Sequence, residues 1–165
     1  MRDLLKIADI LGESVVDGKG LRTVIFFQGC PRHCEGCHNE KLLPLEGGKS
    51  YTPEMLAKEI FSKMTPIHKG ITFSGGDPLL QAEELLQVIK ILRKEKPNLN
   101  IWTYTGYLFE EVQHYPVLKE IDVLVDGPFI LSQRDISLPF RGSANQRIID
   151  LPKTFATGVI QELRL

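Results

Sequence analysis

Short apolar runs alternate along the chain with longer amphipathic stretches, so a strand period and a helix period take turns. The run 22–29 (RTVIFFQG) is β-branched and aromatic, as in a buried strand. Thr52-Pro53 supplies an N-cap and a first-turn proline; Leu56, Ile60 and Met64 then recur at helical spacing, with Phe61 beside them. A second apolar run, 71–73, ends near a glycine pair and reads as another buried strand. Asp77-Pro78 opens the next helix, whose stripe is Leu85, Val88, Ile89 and Leu92. Lys90, Arg93, Lys94 and Lys96 crowd its end, and Pro97 stops it. The run 101–105 is a third strand ending at Gly106, 108–115 a weaker helix closed by Pro116, and 121–125 a fourth strand ending at Asp126-Gly127-Pro128. Beyond about Phe129 the period is lost, so irregular structure is expected there, with a final strand near 147–150.

Strand–helix alternation implies parallel strands joined by right-handed crossovers. A complete eight-stranded α/β barrel takes about 250 residues, and this chain has 165. The expected fold is α/β, a partial, open parallel α/β barrel. No repeat, low-complexity tract or linker divides it, so residues 1–165 are expected to form a single domain. The conspicuous polar and glycine positions fall at strand ends: 30–37, 74–78, 103–106 and 126–128. Parallel α/β folds build their sites at that edge.

Hydrophobic residues make up 42% and charged residues 25%, ordinary for a soluble domain. A formal net charge of −1 carries no basic excess, so no nucleic-acid partner is expected. No apolar run approaches a membrane span, and acidic residues interrupt the N-terminus, MRDLLKIADILGES, so neither membrane nor secretion is expected. The three cysteines all lie between positions 30 and 37. That is a poor disulfide framework and suits a reducing, cytoplasmic compartment.

Cys30, Cys34 and Cys37 are spaced C-x-x-x-C-x-x-C, so three thiolates can wrap one metal centre from a single loop. Thiolates are the usual ligands of a four-iron cubane. With three cysteines in the chain, one iron would lack a protein thiolate and stay open to a small chelating ligand. Zinc on three cysteines plus His33 or His38 is an alternative, although structural zinc usually draws ligands from two separated segments. A redox C-x-x-C at Cys34 and Cys37 ignores Cys30, and three buried structural cysteines fit poorly in so polar a loop.

This cysteine loop, following a first strand and followed by His38-Asn39, resembles the radical S-adenosylmethionine superfamily. The stretch ESVVDGKGLR (13–22) leading into FFQGC is similar to the activating enzymes of glycyl-radical proteins. The phrases SGGDPL, TGY, VDGPF and FRGSANQR resemble the activators of anaerobic ribonucleoside-triphosphate reductase. The likeness runs from about Ile10 to Leu151. It implies a 4Fe–4S cluster with Cys30, Cys34 and Cys37 as catalytic metal ligands and one open iron, S-adenosylmethionine as second cofactor, and reductive cleavage of that cofactor to a 5′-deoxyadenosyl radical. It also implies two partners: a glycyl-radical enzyme, the anaerobic reductase or a pyruvate formate-lyase type, and a flavodoxin- or thioredoxin-like electron donor.

The resemblance assigns His38, Asn39, Ser74, Gly75, Gly76, Asp77, Thr103 and Thr105 to the cofactor, and the place of Asp126 at the fourth strand end adds it as a polar contact to cofactor or cation. Each has a plainer reading. Asp77-Pro78 is a stock helix start, although it leaves the two glycines unexplained; paired glycines let a backbone approach a ligand closely. Thr103 and Thr105 suit a strand and its turn, and Asp126 suits a turn before Gly127-Pro128. The segment 141–147 is either a surface loop or a contact to cofactor or partner. His68 and His114 read as solvated surface and Trp102 as core, and no role is assigned to the tail from Pro152 onward.

Overall fold

The computed structural model describes residues 4–30 and 47–164. Seven strands form one open sheet in the order β3-β1-β2-β4-β5-β6-β7. They are β1 (Leu5–Ser14), β2 (Arg22–Phe27), β3 (Lys49–Tyr51), β4 (Gly70–Gly75), β5 (Asn100–Tyr104), β6 (Val123–Asp126) and β7 (Arg147–Asp150). The central four, β2-β4-β5-β6, are parallel, as the alternation predicts. The flanks depart from the parallel strands of the expected partial, open parallel α/β barrel. β1 folds back as a hairpin on β2, β3 pairs antiparallel with β1, and β7 runs antiparallel to β6. The sheet is therefore mixed and open.

Helices cover one face. α1 (Pro53–Lys63) begins at Thr52, whose side chain accepts from the Met55 amide, and buries Leu56, Ala57 and Ile60. Asp77 caps a short 3₁₀ turn, Pro78–Gln81, before α2 (Ala82–Glu95), which buries the Leu85, Val88, Ile89 and Leu92 stripe read from the sequence. α3 (Phe109–Val112) is a single turn, shorter than the expected 108–115. α4 (Leu151–Thr157) is capped by Asp150 and ends at Gly158 in the left-handed conformation (φ 74°). These helices pack on Ile25, Phe27, Ile71, Phe73, Ile101 and Leu124 to form the main core. Alternation along each strand sends the intervening residues to the opposite face. There Trp102, Val123, Val125 and Ile148 form a smaller cluster, with Tyr104 and Phe140 against it. Trp102 is core, as expected. His68 is not a free surface group: its imidazole bonds the Gly12 carbonyl at 2.8 Å and the Thr65 hydroxyl at 2.8 Å. No described helix is long and apolar enough to cross a membrane.

Candidate cofactor cleft

The C-terminal ends of β2, β4 and β5 meet on the face opposite the helices. Phe26 and Ser74 pair across β2 and β4, and Tyr104 ends β5 on the same face. Beyond them lies a cleft of about 760 Å³. Its floor includes Cys30, Ser74, Gly75, Gly76 and Thr105; residues 15–17 form one wall and residues 127–129 and 136–142 with Gln146 the other. That volume is of the size that receives small organic cofactors.

Backbone bonds fix Cys30 at the edge of this cleft. The Gly76 amide donates to the Phe27 carbonyl and the Asp77 amide to the Gly29 carbonyl, both at 2.8 Å, so the loop after β4 is laced to the residues leading into Cys30. Gly75 sits at φ 106°, and a Cβ there would run into the Phe27 backbone. The close approach that requires glycine at this position is therefore to β2, within the protein.

Asp77 has no exposed surface. Its carboxylate accepts from the Thr105 hydroxyl at 2.9 and 3.1 Å, the Gly106 amide at 3.0 Å and the Leu79 amide at 3.0 Å. It joins the loops after β4 and β5, and it is not among the residues lining the cleft.

Thr103 and Asp126, both read as cofactor contacts, also lie elsewhere. They share strand parity with Ile101 and Leu124 and so belong to the helix-covered side. Thr103 is fully buried, with its hydroxyl unpartnered. Asp126 is fully buried and accepts from the Phe109 amide at 2.8 Å and from the Arg147 guanidinium, which also holds Glu110 at 2.6 Å. Those bonds raise the Arg147 pKa and hold the Glu110 carboxyl below its usual value.

The 141–147 segment is a built loop. Gln146 accepts through Oε1 from the Gly142 and Ser143 amides and donates through Nε2 to the Gly127 carbonyl. Arg141, Gly142 and Gln146 line the cleft. Opposite, Arg22 is buried and donates to the Thr72 hydroxyl and to the Lys19, Ile71 and Asn100 carbonyls. Burial pushes its pKa down to about 10. Thr72 in turn donates to the Asp17 carbonyl at 2.6 Å, holding the 15–17 wall in place.

The structure thus gathers Cys30, Ser74, Gly75, Gly76 and Thr105, and leaves Asp77, Thr103 and Asp126 off the cleft surface. Cys34, Cys37, His38 and Asn39 lie outside the described residues. Among the described residues no three His, Cys, Asp or Glu side chains converge as a metal site. Arg141 lines the cleft, one of the two alternatives left open for the 141–147 segment, and Tyr104 lines it beside Thr105; Phe26 is the lining residue that the sequence reading did not single out. Parity against Ile25 and Phe27 marks Phe26 as facing away from the helices.

A 4Fe–4S single cluster domain matches residues 16–149. The chain is 43% identical over 140 residues to the anaerobic ribonucleoside-triphosphate reductase-activating protein of Vibrio cholerae serotype O1, covering 81% of this chain and 90% of that one. It is 41% identical over 141 residues, with the same coverages, to the protein of that name from Haemophilus influenzae. The likeness to the solved structure of QueE from Escherichia coli is weaker: TM-score 0.46 and 19% identity, over 62% of this chain and 53% of that one. The chain belongs to the 4Fe–4S single cluster domain family and, within it, to the anaerobic ribonucleoside-triphosphate reductase-activating proteins.

Proposed function

We propose that this protein is the iron–sulfur activating enzyme that installs a glycyl radical on anaerobic ribonucleoside-triphosphate reductase. The observation that carries the reading is the position of Cys30. A thiol from the specific C-x-x-x-C-x-x-C loop stands at the strand-end edge, on a cofactor-sized cleft floored by Ser74, Gly75, Gly76 and Thr105. Soft thiolate chemistry beside a mixed polar and apolar cleft suits a cluster with a small organic cofactor next to it. Cys30, Cys34 and Cys37 would hold a 4Fe–4S cluster with one open iron. S-adenosylmethionine would occupy the cleft against Ser74, Gly75, Gly76 and Thr105, with His38 and Asn39, next in sequence after the third cysteine, as further contacts.

Held by Cys30, Cys34 and Cys37, the cluster would supply, with an electron from an external donor, reductive cleavage of the carbon–sulfur bond of S-adenosylmethionine and, through it, hydrogen abstraction from a glycine α-carbon of the partner. The chain's own residues supply placement and shielding. Gly76 and Asp77 pin the β4 loop to the backbone before Cys30, and the Asp77 carboxylate fixes Thr105 relative to that loop. Val15, Phe26, Phe129 and Leu138 give the cleft apolar surface that keeps water from a reactive species. Asp77, Thr103 and Asp126 serve this arrangement from behind, through the bonds and packing described above. The electron donor is of flavodoxin or thioredoxin class. The single domain works in the cytoplasm, where thiols stay reduced.

The test is anaerobic reconstitution with iron and sulfide, followed by dithionite and S-adenosylmethionine. The wild type releases 5′-deoxyadenosine and methionine in equal amounts; Cys30→Ala, folded by circular dichroism, releases neither. Cleavage retained in that variant contradicts the assignment.

A further inference from the structure

Phe140 has φ 59°, and among the described residues it is the non-glycine residue with positive φ. A bulky aromatic pays a steric cost in the left-handed region and stays there only where its surroundings over-determine it. Two contacts do so here. The Tyr104 hydroxyl donates to the Phe140 carbonyl at 2.6 Å. The Phe140 ring meets Trp102 edge-on, with centroids 5.3 Å apart and planes at 76°. Both partners come from β5, and Tyr104 immediately precedes Thr105, which Asp77 ties to the β4 loop.

The segment around Phe140 is one wall of the cleft. Its base is closed by the Asp135 amide donating to the Gly142 carbonyl and the Ala144 amide to the Gln133 carbonyl. Its far side rests on Gln146 through Gly142 and Ser143. Between these ties the chain is open to solvent, with Ile136 86% exposed. Phe140 joins this loop to the sheet.

We propose that Tyr104 is a positioning residue: its hydroxyl holds the Phe140 carbonyl, locks residue 140 in the left-handed state, and so sets the width at which the 136–142 wall faces Cys30 and the β4 loop. This rests on the cleft being the cofactor site. Burial first, and the Asp17 carboxylate second, push the Tyr104 phenol well above its ordinary pKa, so it stays a neutral donor at working pH.

The test compares wild type, Y104F, F140G and the double variant of the full chain. The first readout is hydrogen–deuterium exchange over residues 133–146 and over β2 and β4, without cofactor. The second is the KM and kcat for S-adenosylmethionine cleavage after reconstitution. Loss of the hydroxyl is expected to speed exchange over 133–146 about tenfold, as for one lost hydrogen bond. Exchange in β2 and β4 stays unchanged, and KM rises several-fold with kcat within about twofold. Glycine takes positive φ unaided, so Y104F adds less than about twofold in the F140G background. Unchanged exchange in Y104F, an equal Y104F effect in both backgrounds, or faster exchange throughout the sheet overturns the proposal. A wild type that binds iron but never cleaves the cofactor counts against the proposed function instead, and the exchange data still decide whether Tyr104 holds the wall.

Discussion

Asp77 ties two loops at the cleft together without lining it. Its carboxylate is sealed from solvent and accepts from three neighbours in two loops. Asn keeps the shape but turns one acceptor into a donor facing donors. Asp77→Asn is therefore expected to lose about 1.5–3 kcal/mol in urea unfolding, and to raise the KM for S-adenosylmethionine as Thr105 loosens. An unchanged unfolding midpoint would show that these bonds contribute little. The sequence exposes Asp77 as a helix cap but cannot show which second loop it reaches, because Thr105 is 28 residues away. Thr103 and Asp126 lie off the cleft surface for a readable reason. Each is an even number of residues from a core position, Ile101 or Leu124, and period-two alternation puts them on the helix side.

At the scale of elements, the central strands and the two longer helices are legible because their patterns are unbroken. β1 is not, because irregularities between Ile7 and Asp9 and between Leu11 and Ser14 interrupt its alternation. β3 is three residues, Lys49–Tyr51, too short to carry a period. α4 was readable in principle: Asp150, Pro152 and Gly158 bracket it as cap, first-turn proline and left-handed stop. The β2–β4 contact makes a firm prediction at Gly75. Alanine there meets both a positive φ and the Phe27 backbone, so Gly75→Ala should cost at least about 2–4 kcal/mol in chemical denaturation. A neutral result would mean that the two strands separate easily. The link from α3 to β7 gives a pH prediction. Arg147 depresses the Glu110 pKa, so this pair stabilises the fold above the ordinary carboxylate range and stops doing so as pH falls through the depressed value. Because Glu110 is exposed, the effect is below about 1 kcal/mol. The stability difference between wild type and Glu110→Gln should be present at neutral pH and vanish in acid; a difference independent of pH would assign it to packing.

Among the described residues, a four-stranded parallel centre presents its strand ends to a cleft, and antiparallel flanks close the sheet's sides without closing a barrel. The sequence announces the cluster chemistry through one loop and the sheet edge through strand order. The cleft's second wall, residues 127–129 and 136–142, has no periodic pattern and depends on side-chain ties such as Gln146 to Gly142, so it is invisible before the chain folds. The family points to one activity, generation of a radical on a partner protein. The measurement that meets it most directly is electron paramagnetic resonance of purified anaerobic ribonucleoside-triphosphate reductase, mixed anaerobically with the reconstituted protein, S-adenosylmethionine and dithionite. A glycyl-radical signal is expected on the reductase, and it disappears when any one component is omitted or Cys30→Ala replaces the wild type. Cofactor cleavage with no radical on the reductase would contradict it.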